Sequence, residues 1–63
     1  MTPCTIRLIS RERMHTIIDR YAPIGRYMTR EGRKWVACDN TTGDAWVEEF
    51  DTMKQAVKWL MNA

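Results

Sequence analysis

Histidine, serine, cysteine and glycine are all scarce in this 63-residue chain, and each shortage removes a class of chemistry. His15 is the single histidine and Ser10 the single serine. Nucleophilic catalysis needs a nucleophile, a base and an orienting group within hydrogen-bond reach, and no local spacing here supplies that set. His15 falls on the flank of a helical pattern beside Arg11 and Asp19, as a solvated residue does. Ser10 stands directly before that pattern, where a hydroxyl serves as a helix cap. Cys4, Cys38, His15 and Asp39 do not have zinc-site spacing. The three glycines form no phosphate-binding run. Asp39-Asn40-Thr41-Thr42-Gly43-Asp44 superficially suggests a calcium loop, but it lacks the alternating ligands and distal glutamate. Its flanking strand formers make it a hairpin turn. Glu48 and Glu49 adjoin on a strand-like run, so they point to opposite faces and form no acid–base pair. The expectation is a non-enzymatic protein with no catalytic residue, metal, cofactor or small-molecule substrate.

Long apolar runs are also missing, so no membrane-spanning segment is expected. The opening MTPCTIRLIS is broken by Arg7 and reads as no secretory leader. Two reduced thiols in a cytoplasmic protein is the simplest reading of Cys4 and Cys38. A disulfide would require the N-terminus to lie beside the strand carrying Cys38, which sequence leaves open. With 44% hydrophobic and 29% charged residues, the chain suits a folded globule rather than a disordered tail. It has no repeat and no low-complexity segment, and 1–63 is read as one domain. A core this small commonly needs reinforcement, and oligomerisation is the form considered first.

What is present is concentrated between Gly25 and Leu60. GRYMTRE, RKWVACDN and DAWVEEF are rich in strand formers and are separated by turn signals at Glu31-Gly32 and Asn40-Thr41-Thr42-Gly43. Met53, Ala56, Val57 and Leu60 then recur at helical period, with Asp51 or Thr52 as N-cap. An earlier stripe of Met14, Ile17, Ile18 and Tyr21 predicts a helix over 11–21, ended by Ala22-Pro23-Ile24-Gly25. Thr5–Ile9 alternates and predicts either a short strand or, with Thr2 as cap and Pro3 first, a helix start. The fold class is α+β, in the order (β)αβββα. A three-stranded antiparallel sheet, with a fourth N-terminal strand if Thr5–Ile9 joins it, packs with two helices. Val36, Cys38, Trp46 and Phe50 are the choice for the helix-facing side. Both helices on that side give two layers and leave Trp35, Ala37, Ala45 and Val47 open. The first helix on the other side instead buries Trp35. Tyr27 or Met28 points inward from the first of the three strands.

Three strands followed by Phe50-Asp51-Thr52-x-x-x-Ala56-x-x-Trp59-Leu60 resemble the arm-type N-terminal DNA-binding domain of tyrosine integrases, over roughly Gly25 to Met61. The resemblance implies a three-stranded sheet backed by a C-terminal helix, with basic strand residues entering the DNA major groove. Its matching positions are Arg26, Arg30, Arg33 and Lys34, with Trp35 as a packing contact. The acidic strand Trp46-Val47-Glu48-Glu49 departs from that pattern, because phosphate repels carboxylates. The chain also looks like short reading frames of bacterial prophages and conjugative elements, which implies a mobile-element accessory role.

Charge is unevenly spread. Residues 1–34 carry seven arginines and one lysine against three carboxylates, a net of +5, and residues 35–63 carry two lysines against five, a net of −3. Two functions follow. One is a protein-binding module that contacts itself or a host partner, with Trp35, Val47 and Tyr27 as anchors. The alternative is DNA binding through Arg7, Arg26, Arg30, Arg33 and Lys34, which would release counterions from phosphate. The acidic last strand favours the protein-binding class.

Overall fold

The computed structural model describes residues 5–62. Elements follow the order β1 (Ile6–Leu8), α1 (Arg11–Arg20), β2 (Gly25–Glu31), β3 (Lys34–Asn40), β4 (Trp46–Phe50) and α2 (Met53–Asn62), a small α+β domain. The alternating segment before Ser10 is therefore a strand; Thr2, Pro3 and Cys4 lie outside the described residues.

One mixed sheet has the order β1-β2-β3-β4. β1 runs parallel to β2, and the Ile9 amide extends that pairing by donating to the Met28 carbonyl at 2.9 Å. Parallel neighbours need a crossover, and α1 provides it. β2, β3 and β4 form an antiparallel meander. Gly32, at φ 64°, opens the two-residue turn between Glu31 and Lys34. Only glycine takes that conformation at no steric cost.

Both helices start as their sequences dictate. The Ser10 hydroxyl accepts from the Arg13 amide at the head of α1. At α2, the Thr52 hydroxyl accepts from the Gln55 amide, and the Gln55 side chain accepts from the Thr52 amide, a reciprocal capping box. Of the two cap candidates, Thr52 fills the role and Asp51 instead pairs with Lys34. Tyr21 does not extend the apolar stripe of α1. It is the C-cap in the left-handed conformation and is exposed.

The helices lie on opposite faces of the sheet. Met14 and Ile17 of α1 pack on Tyr27 and Cys38, which face each other across β2 and β3. Ala56 and Leu60 of α2 pack on Met28 and Ala37, the next cross-strand pair, with Ile6, Trp35, Phe50, Val57 and Trp59 around them. Successive strand residues point to opposite faces, so these are two cores. The arrangement with both helices on one side is thus corrected, and so is the expected helix-facing set. Trp35 pairs with Phe50 and Cys38 with Val47. Trp35, Ala37, Trp46 and Phe50 share the α2 face; Val36, Cys38 and Val47 share the other. The error is one of register between β3 and β4, where a single-residue offset moves every side chain to the opposite face.

Candidate protein-binding surface

β4 is covered by a helix only at its Phe50 end, where Trp59 of α2 packs against it. It is an edge of the sheet, and Trp46, Val47, Glu48 and Glu49 are all exposed; only Phe50 is partly buried. Trp46 retains 64% of its accessible surface and Val47 42%. Because one points to the α2 face and the other to the α1 face, the strand offers an apolar side chain on each side of its free edge. Asp44, Glu48 and Glu49 place exposed carboxylates along the strand and just before it.

The Asn40–Ala45 connection sets where β4 begins. Asn40 is fully buried. Its amide nitrogen donates to the Pro23 carbonyl at 2.9 Å, and its oxygen accepts from the Ala45 amide at 3.1 Å. The same Pro23 carbonyl accepts from the Tyr27 hydroxyl at 2.9 Å. Asp39 Oδ1 accepts from both the backbone amide and the hydroxyl of Thr41, at 3.0 and 2.7 Å. Gly43 and Ala45 both have positive φ, 85° and 50°. The connection is therefore clamped from below by Asn40 rather than merely turned by it, and Ala45 leads into the strand in a conformation that alanine rarely takes.

Of the expected protein-binding anchors, Val47 is at the surface and the other two are not. Tyr27 is 3% exposed, with its hydroxyl committed to Pro23, so it is a core residue. Trp35 is half-buried in the α2 core, and its outer surface carries the Arg30 guanidinium 5.4 Å from the ring centre. Trp46 is the anchor-like residue that sequence reasoning assigned to the core. Its parity with Phe50 was the available signal, but parity alone does not tell how far along β4 the helix reaches.

The basic residues do not form one surface. Arg26 lies on the α2 face and donates from Nε to the Leu60 carbonyl at 3.0 Å, at the C-terminal end of α2 where the dipole favours a cation. Arg30 lies on the same face and is held by Trp35 and by the Gly32 carbonyl. Arg7 pairs with Tyr27 and so points to the α1 face. Arg33 is in the turn. Lys34 is bound to Asp51, which raises its pKa, first through the hydrogen bond and then through the charge. The sheet face that an integrase-like groove contact would use is occupied by α1 across β2 and β3.

Cys38 is a free thiol, fully buried, and its pKa is raised by burial and then by the neighbouring Asp39 carboxylate. Among the described residues, no three histidine, cysteine, aspartate or glutamate side chains are grouped to hold a metal ion. No helix among them is long and apolar enough to cross a membrane. Comparison with known proteins returns no match to any family model, curated protein or solved structure.

Proposed function

We propose that this is a small non-enzymatic binding protein that acts through protein–protein contacts, with β4 as the contact strand. The observation that carries the reading is that β4 is a free sheet edge exposed on both faces, with Trp46 and Val47 uncovered beside it. A strand edge offers unpaired amides and carbonyls, and an extended segment of another protein can add to it. Trp46 supplies a large aromatic contact of the kind that dominates interface energetics. The dispersal of Arg7, Arg26, Arg30, Arg33 and Lys34 over both faces, three of them bound within the chain, weighs against DNA as the partner.

Self-pairing of this edge centred on Glu48 is disfavoured. Two copies of β4 paired antiparallel about Glu48 set Glu48 against its own copy, and like charges directly opposite destabilise a sheet. A different chain with basic residues along its strand meets no such repulsion, and it is the partner we favour.

Site-specific photocrosslinking tests the reading in cells. A benzophenone side chain at Val47 should give a discrete covalent adduct, and one at His15 on exposed α1 should not. No adduct at Val47, or the same adducts at both positions, would remove β4 as the contact. An amide-shift titration with a DNA duplex should be flat at low and moderate salt.

A further inference from the structure

Trp46 does more than stand on the surface. Together with Trp59 of α2 it walls a cleft of about 280 Å³, completed by Asp39, Thr41 and Thr42. Asp39 and Trp46 are direct cross-strand partners on the α2 face, so the carboxylate sits at the foot of one indole, and α2 brings the second indole over it. Asp39 is 6% exposed. Among the described residues its hydrogen bonds, from the Thr41 amide and hydroxyl, both fall on Oδ1, and Oδ2 is the oxygen for a donor entering the cleft. Arg26 is the opposite cross-strand neighbour of Asp39, and its Nε donates to the Leu60 carbonyl at 3.0 Å.

We propose that this cleft receives a guanidinium group, the arginine side chain of the partner; this rests on the protein-binding reading above. Indole faces attract cations, and a planar guanidinium can lie along them. A quaternary ammonium could use the rings but has no hydrogen to give the carboxylate. A guanidinium has five donors in a fixed fork and meets both requirements. The chain already uses the same pairing internally, where Arg30 lies over Trp35. A neutral apolar side chain would cover Asp39 Oδ2 without supplying it a donor, which a carboxylate oxygen taken out of water does not tolerate well. The occupant is thus chosen by charge and shape together, and the acidic surroundings of β4 draw it in.

The test uses the full chain and small probes, so it is independent of any partner. N-acetyl-arginine amide, its neutral isostere N-acetyl-citrulline amide and N-acetyl-lysine amide are titrated while the indole N–H signals of Trp46 and Trp59 are followed by NMR. The arginine probe should shift both signals and saturate in the millimolar range, and the citrulline and lysine probes should bind at least about tenfold more weakly. Trp46→Ala, at an exposed position, and Asp39→Asn, which keeps an acceptor for Thr41, should each remove the difference between arginine and citrulline. Equal binding of citrulline would overturn the proposal by making this an apolar cleft, and equal binding of lysine would overturn the choice of guanidinium. No shift of either indole by arginine would also overturn it. A Val47 crosslink obtained alongside any of those results would leave the protein-binding reading standing and remove only the arginine.

Discussion

Replacing Asn40 by alanine should be among the most damaging polar substitutions in this domain. Asn40 is wholly buried and ties two separate connections, donating to Pro23 between α1 and β2 and accepting from Ala45 ahead of β4. Each hydrogen bond is worth about 1 kcal/mol net, and a buried donor left without a partner costs about 1–3 kcal/mol. The partly buried Ala45 amide would lose its acceptor, so with the bond to Pro23 the loss should be about 2–4 kcal/mol. At roughly 0.05–0.15 kcal/mol per residue the whole domain holds about 3–9 kcal/mol, so the variant should sit near its limit. Tyr27→Phe should cost about 1 kcal/mol by removing its bond to the same Pro23 carbonyl. A carbonyl has two lone pairs, and the single variants each leave one of them served. The double variant leaves neither, so its loss should exceed the sum of the singles by about 1 kcal/mol. Urea denaturation of the four proteins measures all of this. Thr42→Ala, which breaks only an exposed bond to Asp44, is the control and should stay within about 0.5 kcal/mol of the parent. An Asn40→Ala loss below that of Tyr27→Phe, or strict additivity of the pair, would refute the shared-acceptor account.

Other outcomes follow from the same contacts. Leu60→Ala removes a fully buried side chain from the α2 core and should cost about 2–5 kcal/mol by denaturant midpoint. Trp46→Ala, by contrast, should leave the midpoint nearly unchanged, because the ring is largely exposed. Cys38 should react with a thiol reagent only when the domain opens, at a rate that rises with urea. Its raised pKa means that the unfolded chain loses the thiol proton first. Stability from this group is therefore full below the ordinary thiol value of 9.0 and falls as pH rises above it, which denaturation at pH 7 and pH 10 would detect.

Local chemistry carried much of the fold into the sequence. Ser10, the Thr52–Gln55 pair and the stripes Met14–Ile17 and Ala56–Leu60 each act within one turn or two of helix, and each is legible without knowing the rest of the chain. GRYMTRE matches β2 residue for residue for the same reason. What was not legible depends on distance. The offset between β3 and β4 is set by a connection whose Asn40 is anchored to Pro23, 17 residues away, and whose Ala45 takes a positive φ that no alanine signals. That offset puts Trp35 and Ala37 on the α2 face and Val36 and Cys38 on the other, the reverse of the expected sides, while Trp46 shares the α2 face with Phe50 as expected but lies beyond the helix. Tyr27 belongs to the core because Pro23 holds its hydroxyl, an acceptor that composition does not reveal.

The exposed surface of β4 follows from the width of the sheet. Four strands about 4.8 Å apart span roughly 15 Å between the outer two, and side chains widen the sheet beyond that. One helix, about 10 Å across with its side chains, shields little more than two strands. With a single helix on each face, complete cover is therefore unattainable, and the bare strips depend on where each helix lies. α1 follows β1 and returns the chain to β2, so it lies over that side and leaves Val47 and Glu49 open on its face. α2 follows β4 and packs on β3 and β4, so on the other face it leaves Leu8 of β1 open, 64% exposed. The two bare strips lie at diagonal corners, with Leu8 in one and Val47 and Glu49 in the other. Covering the β4 corner with a third helix would have hidden Val47. What is exposed there is a consequence of the βαβββα order itself, and the carboxylates on β4 disfavour pairing of that edge with its own copy about Glu48.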